Sequence, residues 1–247
     1  MATTSVIWVG NITDKAFETS GVFTATLKQS LSMSSVSTNA QGIEWDGTDT
    51  FLASALPEPD KLAKTSSKFS TVVKDSQAVN TIDSFVTGIS TGLSDAFWTG
   101  TQADKIYRQS GQFTATLKDS VSVGSIDTDP RGVCWDRADA QWAGRQADKL
   151  YLSSALTSTL KTSRSVSSWD TLPIGTSYDK TQAFFAGGSS GKLFAVSGRF
   201  SATLKDSQSV TGADASPRGP ATTDHYSRLN TASPAAKVVL LQMMMAN

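Results

Sequence analysis

Apolar and polar residues alternate along short stretches of this chain. In Phe113-Thr-Ala-Thr-Leu-Lys118, Phe113, Ala115 and Leu117 fall on one face, and Thr114, Thr116 and Lys118 on the other. That period of two predicts a half-buried β-strand. Similar runs recur as GVFTATLKQS, SKFSTVVKDS, SALTSTLKTS and GRFSATLKDS. No segment of the repeats sustains the 3.6-residue period of a helix. Turn formers separate the runs, among them Asp46-Gly47, Gly100, Ser110-Gly111 and Asp129-Pro130.

The runs keep a common register. Lys28, Lys74, Lys118, Lys161 and Lys205 are spaced by 46, 44, 43 and 44 residues. Lys15, Lys61, Lys105, Lys149 and Lys192 are spaced by 46, 44, 44 and 43, and Gly42, Gly88, Gly132, Gly175 and Gly219 by 46, 44, 43 and 44. Three landmarks in register establish five tandem units of about 44 residues. The two extra residues of the second copy fall at Ala55 to Pro59, which predicts a loop there.

Each unit reads as four strands. The first starts at the glycine landmark, as in Gly42-Ile-Glu-Trp-Asp-Gly47. The second carries Trp8, Leu52, Trp98, Trp142 or Phe185, and the third follows an Asp-Lys pair, as in Asp104-Lys-Ile-Tyr107. The fourth is the Thr-Leu-Lys stretch. Four strands in 44 residues is the size of a propeller blade, so the expected fold is all-β: a five-bladed β-propeller over residues 1–224. The second-strand aromatics would fill the wedges between blades. The chain begins with strands two to four of a unit and reaches a lone first strand at Gly219 to Asp224, which predicts a ring closed by pairing of the two ends. Pro220, lacking a ladder donor, suits an edge facing the axis.

Units of the form GIEWDG…DKLYRxSGxFTATLKDSxSVxSIDTDPRG resemble tandem blade repeats of tailed-bacteriophage proteins. The resemblance rests on Asp14, Asp60, Asp104 and Asp148 with their lysines, on the Thr-Leu-Lys cores, and on Ile126-Asp-Thr-Asp-Pro-Arg-Gly132. The fifth unit departs from it, with Gly191 at the aspartate position. The resemblance implies a virion structural or tail-associated protein, localised to the particle, with other virion subunits and host surface glycans or receptors as partners. It leaves open three roles: a non-catalytic adhesion module, a carbohydrate-binding lectin, or a tail depolymerase.

Composition narrows these readings. The 22 basic and 22 acidic residues of the 247 balance, which gives no drive toward nucleic acid or an anionic membrane. No run of 18 apolar residues predicts membrane insertion, and no basic region followed by an apolar run marks a secretory leader. A single cysteine, Cys134, excludes an internal disulfide framework; it is expected to be buried or to face the channel. The single histidine, His225, lies beyond the repeats with no nucleophile motif beside it. No zinc spacing, P-loop or nucleophile elbow is present, so no cofactor or metal is expected.

Two repeated sets could carry chemistry. Asp83, Asp127, Asp170 and Asp214 could ring a ligand or metal, but a catalytic group is needed once, and fourfold repetition points to turn caps. Phe17, Tyr107, Tyr151 and Phe194 recur at one third-strand position. They are either sugar-stacking platforms or inter-blade packing, and Ala63 interrupts the set. Finally, residues 225–247 form a non-repeated tail. Val238, Val239, Leu240, Leu241, Met243, Met244 and Met245 make seven apolar residues in eight. Such a run packs on its own domain or docks on a neighbour, and docking to another virion subunit is the expectation.

Overall fold

The structure is a computed structural model. It describes residues 5–19, 26–55, 60–92, 95–110, 116–136, 138–154, 156–199 and 203–222. The 20 strands among them form five four-stranded antiparallel sheets, arranged in a ring as a five-bladed β-propeller. Four sheets follow the chain: β4 to β7 (Ala40–Trp45, Asp49–Ser54, Lys61–Ser66, Val73–Ala78), β8 to β11 (Val86–Thr91, Asp95–Gly100, Lys105–Ser110, Leu117–Ser122), β12 to β15 (Pro130–Trp135, Asp139–Gly144, Lys149–Ser154, Leu160–Ser165) and β16 to β19 (Pro173–Tyr178, Gln182–Gly187, Lys192–Ser197, Leu204–Ser209). The remaining sheet has the order β20-β1-β2-β3, in which β20 (Pro217–Thr222) joins β1 (Val6–Gly10), β2 (Lys15–Thr19) and β3 (Leu27–Ser32). Val6 faces Thr222 and Gly10 faces Pro217 across this junction, so both ends of the chain build the first blade.

The innermost strands β20, β4, β8, β12 and β16 pack side by side around the axis. Gly42, Gly88, Gly132, Gly175 and Gly219 meet there. A Cβ placed on each would lie 2.1–2.8 Å from the Cα of the next, from Gly42 round to Gly219 and back to Gly42. Only residues without a side chain allow this approach. Each innermost strand also skips register with its neighbour beside the glycine, a β-bulge that bends it round the axis. The landmark glycines are therefore the hub of the ring.

The blades stack through apolar seams. Phe51, Ala53, Leu62 and Val79 of the second blade meet Val86, Ile89, Trp98 and Tyr107 of the third. Trp8, Leu52, Trp98, Trp142 and Phe185 are all fully buried, as the wedge role requires. Burial of such rings at about 25 cal/mol per Å² is the main force closing each seam.

The structure corrects two strand boundaries. First strands begin two residues before the hub glycine. Fourth strands begin at the leucine of the Thr-Leu-Lys core and run past it, as in Leu117–Ser122. Their pattern is outward rather than half-buried: Leu27, Leu117 and Leu160 are 39–44% exposed. Phe113 and Ala115 lie outside the described residues. At the described positions the outer edge of a blade has one neighbouring strand and a solvated face, so alternation does not decide burial. The insertion falls between β5 and β6 as expected, and residues 56–59 are outside the described set.

Candidate functional site

The four repeated aromatics are buried. Phe17, Tyr107, Tyr151 and Phe194 are each 2% exposed. Each stacks on the second-strand ring directly across the ladder: Trp8 on Phe17, Trp98 on Tyr107, Trp142 on Tyr151 and Phe185 on Phe194, with centroids 4.0–4.7 Å apart. A sugar platform needs an open ring face, so the ligand-facing expectation for these residues is corrected to inter-blade packing.

The repeated aspartates are also buried, and each pins a turn. Asp83 accepts from the Phe85 and Gln102 N–H groups through Oδ1. Through Oδ2 it accepts from the Ala103 N–H at 3.1 Å and the Tyr107 hydroxyl at 3.0 Å. Asp127 repeats this with Asp129, Gln146, Ala147 and Tyr151. Asp170 takes the N–H groups of Leu172, Ser189 and Ser190. Asp214 takes those of Ser216, Ile12 and Thr13, plus the Thr13 hydroxyl at 2.8 Å. Each carboxylate thus ties the linker entering a blade to that blade's turn between second and third strands. In the Asp214 case the tie joins the two ends of the chain. Gly10, Gly100, Gly144 and Gly187 make room, since a Cβ on any of them would lie within 2.4 Å of the carboxylate. Burial and the adjoining Asp83 and Asp127 carboxylates push the Tyr107 and Tyr151 phenols well up.

The Asp-Lys pairs at Asp14, Asp104 and Asp148 form the tight turn before the third strand. Asp14, Asp104 and Asp148 have φ of 50–52°, a conformation glycine adopts freely, and Gly191 supplies it in the fifth blade at 59°. Burial and neighbouring carboxylates raise the Asp104 and Asp148 acids. The landmark lysines of the fourth strands clamp the start of the second strand: Lys74 to Asp49 at 2.7 Å, Lys118 to Asp95 at 3.4 Å and Lys161 to Asp139 at 2.6 Å. The first blade carries Ser5 instead and moves the acid to Glu18. Burial alone would raise Glu18, but Lys68 of the second blade at 2.5 Å, with Gln29 and Ser5, holds it below the ordinary carboxylate range, and Lys28 lies 3.4 Å away.

The axis is closed. The cavity bounded by the glycine hub with Ile43, Ile89, Val133, Thr176 and Pro220 measures about 10 Å³, room for about one water. Cys134 is buried beside this level, not open to a channel. Among the described residues, no group of three His, Cys, Asp or Glu side chains is placed to hold a metal ion. Nor, among the described residues, is any helix long and apolar enough to cross a membrane.

One end of the axis has a distinct chemistry. The residue before each hub glycine is Gln41, Thr87, Arg131, Ile174 or Arg218. Arg131 is 7% exposed, donates from Nε to Asp129 at 2.5 Å, and lies 5.3 Å from the Phe85 ring centre. Arg145 shares Asp129 at 3.3 Å. Arg218 donates from Nη1 to Gln41 at 2.6 Å, while its buried Nε has no acceptor among the described residues. Burial, with Arg131 and Arg145 adding to it, pushes the Arg218 guanidinium down to about 10. Sequence reasoning missed this cluster, although Pro130-Arg-Gly132 and Pro217-Arg-Gly219 mark it as a repeated triplet. The expected tail contacts Val238, Val239, Leu240, Leu241, Met243, Met244 and Met245, and His225, lie outside the described residues.

Among protein-family models and among curated proteins, nothing matches this sequence. Solved structures do match in fold. One is a crystal structure of a nidogen/laminin complex, with a TM-score of 0.55 at 10% identity over 89% of this chain and 98% of that one. Another is a glutaminyl cyclase of Myxococcus xanthus, with a TM-score of 0.52 at 11% identity over 79% of this chain and 76% of that one. At these identities the likeness is one of propeller fold alone.

Proposed function

We propose that this chain is a non-catalytic binding propeller of a tailed-phage particle, holding another virion subunit or a host surface receptor on its exterior. The observation that carries the binding part is how the repeated chemistry is used. The four aspartates cap turns, the four aromatics fill seams, and the axis has room for about one water. What is left for function is the outer surface. The particle assignment rests on the resemblance of the repeat units to phage blade repeats. A lectin of the stacking type loses its platform, because the rings that would stack on sugars are buried.

The apolar run Val238 to Met245 is the proposed anchor to a neighbouring subunit, by strand addition or as a short helix in a groove. The experiment is immunogold labelling of purified particles with an antibody to the propeller, for the full chain and for one lacking residues 230–247. Label at one fixed position that disappears with the truncation supports the proposal. Particles without label, or label unaffected by the truncation, refute the particle role and the anchor respectively.

A further inference from the structure

The seam between the fifth and first blades is built differently from the other four. In each seam a linker residue packs on the buried rings, eight positions after Lys28, Lys74, Lys118, Lys161 or Lys205. It is Val36, Ile82, Ile126 and Trp169 in four of them, each set in its seam's apolar cluster. In the fifth it is Ala213, which offers only a methyl group to the cluster of Trp8 and Phe17. Its neighbour Gly212 has no side chain, and a Cβ there would meet nothing within 4 Å. The residue three positions after the same lysines follows suit. Leu31 and Val121 pack on apolar clusters, Gln77 bonds to Gln109, and the Arg164 guanidinium lies 5.5 Å from the Trp169 ring centre. In the fifth seam Gln208 Oε1 has no hydrogen-bond partner among the described residues.

A pocket of about 430 Å³ opens at this seam, within the size range of small-molecule sites. Trp8 and Phe17 form its floor and are almost wholly covered, so the contact surface is the walls. Leu27, 44% exposed, and Lys15 stand on the first-blade side, and Gln208 and Ala213 on the fifth-blade side. Thr19, Ser30 and Ser209 add hydroxyls. Lys15 is the one charged residue of the described lining. Asp14 and Asp214 adjoin Lys15 and Ala213 in the chain, so the rim does not favour an ion. Glu18 serves the neighbouring seam, where it pairs with Lys68.

We propose that this seam pocket binds a neutral small molecule carrying one aromatic ring, up to indole in size, with a hydroxyl or N–H substituent. The fold itself shows what the position accepts. All four residues that fill it elsewhere are apolar, and the largest, Trp169, lies within 24° of parallel to Phe185, with ring centres 6.4 Å apart. Phe185 is the fifth-blade counterpart of Trp8. A ring lodged beside Ala213 would cover the apolar surface of Leu27, while the hydroxyls of the rim take its polar group. The inference goes beyond the binding role proposed above and does not rest on the particle assignment, because it concerns the packing of one seam.

The test is saturation-transfer NMR of the full chain, titrated with indole, phenol and benzoate. Saturable binding of indole or phenol, tighter than that of benzoate, is expected. Ala213→Ile and Ala213→Trp restore the side chains of the other seams. Both should fold, melt higher than the wild type because the slot is filled, and weaken binding about tenfold or more. Ser125→Ala, an exposed linker change at another seam, should leave binding unchanged. The absence of saturable indole or phenol binding to the wild-type chain would overturn the proposal. So would undiminished binding by a folded Ala213→Ile or Ala213→Trp chain, or a preference for benzoate. Failure of both variants to fold would show that the slot is already full, and would overturn it as well.

Discussion

The second blade and the third solve the same packing problem with different residues. In the third, Asp83 lies against Gly100 and caps the next turn, Tyr107 reaches that carboxylate, and Trp98 stacks on Tyr107. In the second, Ser37 stands for the aspartate and Ser54 for the glycine, and their hydroxyls bond to each other at 2.5 Å. Ala63 and Leu52 replace the stacked pair, and Met33 occupies the place of valine at Val79 and Val123. The turn concerned carries the two-residue insertion, so the carboxylate has a different loop to cap. The substitutions travel together. That is the behaviour of a packing unit, whereas ligand-binding residues would be free to vary singly.

Removing the wedge ring should separate the two blades most. Trp98→Ala is expected to cost about 3–5 kcal/mol, and Leu52→Ala less, since the smaller side chain leaves a smaller cavity. Urea titration of both variants checks the order.

A smaller effect is expected from Asp83→Ala, about 3 kcal/mol, because three N–H groups and the Tyr107 hydroxyl lose their acceptor. The double change Asp83→Ser with Gly100→Ser rebuilds the second blade's hydroxyl pair. It should recover about 1 kcal/mol, seen as non-additivity in the corresponding cycle.

Gly88→Ala forces a methyl group against the Gly132 backbone and should cost about 1–3 kcal/mol. Gly212→Ala, which meets nothing within 4 Å, should change the melting point little.

The smallest effect has the opposite sign. Asp104 is held above its ordinary range in the folded chain by burial and then by Asp129, Asp127 and Asp83. Its charge therefore opposes folding: the stability it contributes is full below the unfolded value and is lost as pH rises through the folded one. Asp104→Asn keeps a residue tolerant of φ near 52° and should stabilise by a few tenths of a kcal/mol at pH 7. The gain should vanish toward pH 3, and melting curves at the two pH values decide it.

The ring, the blade count and the shared first blade were legible in the chain because each rests on register: landmark glycines, wedge aromatics and a lone terminal strand. The fourth strands were misplaced because their alternation is an edge pattern, which burial does not enforce. The dual reading of Phe17, Tyr107, Tyr151 and Phe194 could not be resolved from sequence, since a ring that packs and a ring that binds are the same residue type. The arginine cluster escaped notice for a different reason. Arg131 and Arg218 sit 87 positions apart, on β12 and β20, and only closure of the ring brings them to one end of the axis.

Closure by the two chain ends is the claim on which all of this depends. The direct test is thermal unfolding, followed by circular dichroism, of a chain ending at residue 216 beside one ending at residue 224. The account predicts that the longer chain melts in one cooperative transition. The shorter one, deprived of β20 and of its ladder to β1, should melt far lower or not fold. Equal melting temperatures would show that β20 does not close the ring.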